Sequence, residues 1–208
     1  KELKSFSELT NFPVTSTLMG LGAFPASNKL FLGMLGMHGT YESNMAMHDC
    51  DLMINIGARF DDRITGRLDG FSPKSKKIHI DIDPSSINKN VEVNLSLVGD
   101  AAKILGLLNK RIKYYKYKKL KLLSNKWWIK INKWKRKDCL YFENSKKIIK
   151  PQQAMTALNN RIQNKDFYIT TEVGQHQMWA AQYIKFEKPK RWMTSGGLGT
   201  MGYGFPAA

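Results

Sequence analysis

Leu52-Met-Ile-Asn-Ile-Gly57-Ala-Arg-Phe-Asp-Asp-Arg63 sets a short apolar run against a glycine turn dense in charge. Ile78-His-Ile-Asp-Ile-Asp-Pro84 has the same form, an apolar run that ends in acids. Short apolar runs closed by such turns, and separated by helix-length segments, are the pattern of buried parallel strands in an α/β layer fold. In open parallel sheets ligands gather outside the carboxyl ends of the strands. An acid there accepts hydrogen bonds from ribose hydroxyls, and an arginine pairs with phosphate. The alternative for Arg59, Asp61, Asp62 and Arg63 is a surface ion-pair cluster.

Working outward, strands are expected at Val14 to Leu18, Leu52 to Ile56, Ile78 to Ile82 and Leu95 to Val98. Gly33-Met-Leu-Gly-Met-His-Gly39 reads as a loop opening a helix over Thr40 to His48, with Thr40 as its N-cap. Glycines before a helix start permit a phosphate to approach unpaired backbone N–H groups, although tight turns without a ligand explain the same spacing. A further helix is expected over Ala101 to Lys110. After Lys150 the order is Pro151 at the first turn of a helix to Ile162, a strand at Phe167 to Thr171, a helix at Gln175 to Tyr183, and a short strand at Trp192 to Thr194. Two strand-to-helix turns follow those strands. Glu172-Val-Gly-Gln-His176 carries polar side chains, and Ser195-Gly-Gly-Leu-Gly-Thr-Met-Gly-Tyr-Gly204 is nearly free of them, so together they suit a diphosphate and a flat ring.

The 208 residues are 42% hydrophobic and 24% charged, which excludes wholesale disorder and a membrane bundle. The formal net charge of +16 is uneven. Residues 103–150 hold 17 basic and two acidic side chains, leaving the rest of the chain at +1. Within that segment Leu120, Leu123, Trp127, Ile131 and Trp134 recur at helical spacing, which predicts an amphipathic connector helix rather than a membrane-surface helix or nucleic-acid arm. The use of 26 lysines against seven arginines fits compositional drift in a weakly constrained linker. Cys50 and Cys139 have no partner spacing, so neither a disulfide framework nor a zinc site is expected. No leader-like segment or membrane-spanning run is visible. Lys1 in place of methionine, and a glycine-rich stretch entering a helix at Gly204 to Ala208, are expected for an internal piece of a longer protein.

Five blocks in order resemble the large catalytic subunits of the acetolactate synthase (acetohydroxyacid synthase) family. They are Gly33 to Gly39, Gly57-Ala-Arg-Phe-Asp-Asp-Arg-Ile-Thr-Gly66, Ile78 to Pro84, Gly174-Gln-His-Gln-Met-Trp-Ala180 and Arg191-Trp-Met-Thr-Ser-Gly-Gly-Leu-Gly-Thr-Met-Gly202. The resemblance implies two parallel-sheet α/β domains of a thiamine-diphosphate enzyme. Residues 1–110 would be the middle, FAD-binding domain, residues 111–150 a lysine-rich linker helix, and residues 151–208 the first part of the thiamine-diphosphate domain. It implies decarboxylation of pyruvate on thiamine diphosphate and transfer of the hydroxyethyl unit to a second pyruvate or to 2-oxobutyrate. That is the first common step of isoleucine and valine biosynthesis. Thiamine diphosphate, Mg²⁺ and FAD are the implied cofactors, with the metal ligands outside these residues. The implied partners are a second large subunit and a small regulatory subunit, in a bacterial cytoplasm, with neither nucleic acid nor membrane.

Position by position, the resemblance assigns Thr17, Leu18, His38, Gly39, Gly57, Arg59, Asp61, Asp81, Gly99 and Asp100 to FAD. It assigns Gln175, His176, Gly199 and Met201 to thiamine diphosphate, and Asp62 and Arg63 to the substrate channel, where a guanidinium can hold a 2-oxo acid carboxylate. Glu172 stands where aspartate is expected, and Tyr203 and Phe205 replace phenylalanine and leucine. Related thiamine-diphosphate enzymes of the pyruvate oxidase or glyoxylate carboligase type are the near alternative. A basic nucleic-acid-binding protein is the distant one.

Overall fold

The computed structural model describes residues 1–115 and 118–208, with backbone alone for 118–123. It divides into two compact units, one formed by Lys1–Pro13 and Tyr41–Lys137, the other by Val14–Thr40 and Asp138–Ala208.

In the first unit, strands β3 (Leu52–Ile56), β4 (Lys76–Asp81) and β5 (Leu95–Val98) form a parallel sheet in sequence order. The two strands earlier in the chain, β1 (Val14–Ser16) and β2 (Phe31–Met34), belong to the second unit. The register runs from Leu52 opposite Lys76 to Ile56 opposite Ile80, and from Ile78 opposite Leu95 to Asp81 opposite Val98. All three strands therefore end together, on the side where Gly57, Asp81 and Gly99 leave the sheet. Ile80 and His79 in the central strand are fully buried, and the Phe60 ring packs edge-on against Phe71 and His79.

Helices α1 (Glu2–Thr10), α2 (Tyr41–Asp49), α4 (Ala101–Tyr114) and α5 (Lys118–Lys135) complete this unit, with a single-turn helix α3 at Asp62–Thr65. Asp100 caps α4 by accepting the Lys103 N–H at 2.8 Å. The helical stripe in the basic segment is a packing face. Ile131 is fully buried, Trp127 and Trp134 meet edge-on at 5.5 Å, and the Trp128 indole donates to the Asn11 carbonyl at 2.8 Å. Lys130 lies over both Trp127 and Trp134 and bonds Asp49 at 2.6 Å. The side chains of Leu120 and Leu123 lie outside the described residues. The helix stops at Lys135, and Asp138 then adopts a left-handed φ of 44°, so the expected linker is helical over only part of its length. Residues 2–10, for which no element was expected, are helical, with the Thr10 hydroxyl bonded back to the Phe6 carbonyl at 2.8 Å.

Gly106 sits inside α4, and a Cβ there would meet only Glu2 Oε2 at 3.9 Å. Gly106→Ala is expected to stabilise the protein by roughly 0.5–1 kcal/mol, because alanine has less backbone freedom to lose. Urea unfolding of the first unit checks this.

The second unit holds two parallel pairs, β1 (Val14–Ser16) with β2 (Phe31–Met34) and β6 (Ile169–Thr171) with β7 (Trp192–Thr194). Helices α6 (Pro151–Ile162) and α7 (Gln175–Tyr183) flank them. The expected loop from Gly33 is corrected at its start, where Gly33 and Met34 close β2. Gly33 enters that strand at φ 102°, a conformation only glycine takes without strain, which hides the strand from a propensity-based reading. Leu21, Met34, Ala180, Ala181, Ile184, Phe186 and Trp192 form the core. Among the described residues no helix is long and apolar enough to cross a membrane.

Candidate functional site

In the first unit the carboxyl ends of β3, β4 and β5 bring together Gly57, Arg59 and Asp61, then Asp81, then Gly99 and Asp100. The ends are tied by backbone bonds from Gly57 N–H to the Ile80 carbonyl and from Gly99 N–H to the Asp81 carbonyl, each 2.8 Å. Gly57 turns away at φ 65° with nothing within 4 Å of a notional Cβ. Arg59 and Asp61 are exposed and ion-paired at 2.9 Å across Phe60, which is held at φ 55°. Arg63 and Asp62 extend from the same turn, 4.0 Å apart, with the Arg63 side chain 74% exposed. The ion-pair reading of this charged turn is met, Arg59 with Asp61 and Arg63 with Asp62, and a guanidinium has five N–H donors, more than one such pair uses.

Asp81 is buried. One of its oxygens accepts the Asp83 N–H at 2.9 Å, and the other lies 3.5 Å from His79 Nε2. Asp100 is engaged as the cap of α4. Asn90 has no counterpart among the expected residues, yet its amide donates to the Arg59 and Phe60 carbonyls at 3.2 and 3.1 Å and so holds the charged turn. No local spacing announces that contact, because Asn90 lies about 30 positions downstream.

Thr17, Leu18, His38 and Gly39 belong to the second unit. Thr17 caps a short 3-10 turn at Leu18–Gly20 through a bond from Gly20 N–H to its hydroxyl, and neighbouring Met19 lies against the backbone of Gly196. His38 is exposed, and its carbonyl accepts from Gln182 at 2.9 Å. Gly39 leaves no space for a side chain, since a Cβ would come within 2.5 Å of the Met34 carbonyl oxygen. The Thr40 hydroxyl bonds the Leu32 carbonyl at 2.8 Å.

β6 and β7 end side by side, Thr171 opposite Thr194. Their hydroxyls bond at 3.0 Å, and Gln177 from α7 donates to Thr194 at 2.6 Å, all three residues being buried. This small network locks the first turn of α7 to both strand ends. It presents Gln175 and His176, both exposed, at the helix N-terminus, where the N–H groups and the dipole favour an anion.

The turn after β7 is pinned near its start, where Gly199 N–H bonds the Ser195 carbonyl at 3.0 Å and Thr200 N–H bonds the Ser195 hydroxyl at 2.9 Å. Gly197, Gly199 and Gly202 have open space where a Cβ would be, while Leu198 and Met201 are 95% and 82% exposed. Bare backbone beside uncovered apolar side chains, with polar donors on the next turn, fits a ligand with a charged end and a flat apolar ring.

Glu172, on the same strand end, accepts three successive backbone N–H bonds, from Tyr203 at 2.9 Å, Gly204 at 2.8 Å and Phe205 at 3.2 Å. Burial raises its pKa, but the backbone donors of residues 202–205 outweigh that, leaving it below the usual glutamate value. It is ionised at neutral pH.

Residues 1–108 match the central domain of the thiamine pyrophosphate enzymes, and residues 172–208 match their C-terminal thiamine pyrophosphate binding domain. The chain belongs to the thiamine pyrophosphate enzyme family. Over its whole length it is 50% identical to the acetolactate synthase large subunit of Haemophilus influenzae and 46% identical to the acetolactate synthase isozyme 3 large subunit of Escherichia coli. It is 48% identical to the chloroplastic acetolactate synthase 1 of Nicotiana tabacum. The chain spans 36%, 36% and 31% of the lengths of these three relatives.

Proposed function

We propose that the chain is the middle domain and the beginning of the C-terminal domain of an acetolactate synthase large subunit, with residues 1–110, 111–150 and 151–208 as flavin-seating domain, linker and thiamine-diphosphate domain. One observation carries the cofactor reading. Gln175, His176, Gly199 and Met201 stand on the two turns that leave adjacent parallel strands, each exposed. Near-half identity along the whole chain supports the particular enzyme over pyruvate oxidase or glyoxylate carboligase types. Packing of α5 through its tryptophans favours a structural element over a nucleic-acid arm.

When bound, thiamine diphosphate supplies the electron sink for loss of carbon dioxide from a 2-oxo acid. Gln175 and His176 donate to its diphosphate, the Gly199 backbone meets its aminopyrimidine, and Met201 backs the ring. In the first unit Gly57, Arg59, Asp61, Asp81, Gly99 and Asp100 form the flavin seat, with Arg59 for phosphate; the resemblance also assigns Thr17, Leu18, His38 and Gly39 to FAD. Arg63 takes the carboxylate of pyruvate or 2-oxobutyrate, with Asp62 orienting it. The term "large subunit" in the relatives' names supports a small regulatory partner, and a homodimer of large subunits is part of the same reading. Bacterial relatives support a cytoplasmic location.

The full-length protein is expected to convert pyruvate to 2-acetolactate only with thiamine diphosphate, Mg²⁺ and FAD supplied. Absence of both acetolactate formation and thiamine diphosphate binding would refute the reading. Arg63→Ala is expected to raise the KM for pyruvate by roughly tenfold to a hundredfold, the loss of charge-assisted bonds to a carboxylate, with cofactor affinities unchanged. An unaltered KM and kcat removes Arg63 from the substrate site.

A further inference from the structure

We propose that Glu172 is a positioning residue for thiamine diphosphate, its carboxylate tethering the far end of the glycine-rich turn to the carboxyl end of β6. The proposal rests on the cofactor reading above. That turn leaves β7 at Thr194 and crosses back to β6. Near its start it is pinned by Ser195, whose carbonyl and hydroxyl take the N–H groups of Gly199 and Thr200. At its far end, Glu172 Oε1 accepts from Gly204 and Phe205, and Oε2 from Tyr203.

Three consecutive amides converging on one carboxylate form a nest filled by the chain's own anion. Gly199, assigned to the aminopyrimidine, is held in the first anchor, and Met201, assigned to the ring, lies between the two. The glycines of that span have no side-chain packing to hold them, and Met201 is exposed. Its geometry therefore depends on the anchors. Glu172 is itself rigidly placed, because it follows Thr171, which is buried and bonded to Thr194. A shorter side chain, such as the aspartate expected from the resemblance, has less reach toward three amides of the opposite turn.

The test uses Glu172→Ala and Glu172→Gln in the full-length protein. Its readouts are amide hydrogen exchange, thiamine diphosphate affinity from quenching of intrinsic fluorescence, and the split between cofactor KM and kcat. In Glu172→Ala, exchange at Tyr203, Gly204 and Phe205 is expected to quicken about tenfold or more while β6 and β7 keep their protection. The Kd for thiamine diphosphate is expected to rise about tenfold, with kcat at saturating cofactor within about twofold of wild type. Glu172→Gln keeps one acceptor oxygen and is expected to fall between the two.

Unchanged exchange at 203–205, or a Kd within about twofold of wild type in both variants, overturns the proposal. If Glu172→Ala also loses protection in β6 and β7, Glu172→Gln decides. A raised Kd with those strands intact supports the role, and an unchanged Kd removes it. Wild-type protein that binds no thiamine diphosphate overturns the cofactor reading itself, whereas wild-type binding with unaltered variants overturns only the part given to Glu172.

Discussion

Gly204→Ala is expected to weaken thiamine diphosphate binding about a hundredfold, close to 2.7 kcal/mol. A Cβ at this position would lie 2.5 Å from Glu172 N and from the Thr171 carbonyl carbon, and 3.0 Å from the Thr171 carbonyl oxygen. All three are backbone atoms at the end of β6, where Thr171 is held in register with Thr194. No rotamer change can relieve the clash, so the turn must lift. Overpacking against a fixed partner costs about 1–3 kcal/mol by itself. Lifting also stretches the charge-assisted bonds from Tyr203, Gly204 and Phe205 to the Glu172 carboxylate. Part of that strain is shed by relaxation, which sets the expected loss near a hundredfold rather than at the sum. Fluorescence titration with thiamine diphosphate measures it. A Gly204→Ala protein that binds the cofactor as tightly as wild type would show that this close approach has no part in shaping the turn.

The strand at Leu52 to Ile56 is legible because a short run broken only by Asn55 ends at unambiguous turn residues, and the same holds for Leu95 to Val98, broken only by Ser96, and for Trp192 to Thr194. Trp127, Ile131 and Trp134 are legible for a different reason: their spacing of three and four puts them on one helical face, and the structure buries that face. Gly33 and Met34 escape because glycine spacing signals a turn more strongly than it signals a strand with a left-handed kink. Strand-to-helix order is enough to bring Gln175 and His176 to a helix start. It says nothing of Glu172, whose donors lie 31 to 33 residues away. Asn90 and the Thr171, Thr194 and Gln177 network are hidden in the same way. Each is a tertiary hydrogen bond between polar residues of ordinary type, with no periodicity to mark it.

The basic segment carries a related lesson about charge. Its excess is plain in composition, but what those lysines do depends on the indole and phenol rings beside them. Lys130 lies over Trp127 and Trp134, Lys135 over Trp128, and Lys137 over Tyr41 at 3.8 Å. A lysine stem laid along an aromatic face covers apolar surface while its ammonium group keeps its water, so a cationic helix can serve as a packing layer.

Phe186→Ala is expected to destabilise the second unit by about 3–5 kcal/mol, a large share of the stability of an ordinary domain. The Phe186 ring is 1% exposed, and its centroid lies 5.9 Å from that of Phe167 and 5.5 Å from that of Trp192. It shares its core with Leu21, Ala180, Ala181 and Ile184, and its carbonyl accepts the Ala26 N–H at 3.1 Å. Removing the ring leaves a cavity that its neighbours cannot all close. Trp192 is held by β7, and Gly22 packs against the Lys188 backbone, where a notional Cβ would clash with the carbonyl oxygen. Because Trp192 is the residue through which β7 registers with Ile169, the loss reaches the strand end from which Ser195 and the glycine-rich turn depart. Amide exchange distinguishes this route from general unfolding. Protection should fall in β6 and β7 while β3, β4 and β5 keep theirs. Phe186→Leu, which restores most of the volume, should recover more than half of the loss. A Phe186→Ala protein destabilised by less than about 1 kcal/mol, or one that loses protection equally in both units, would mean that this ring is not what holds β6 and β7 in place.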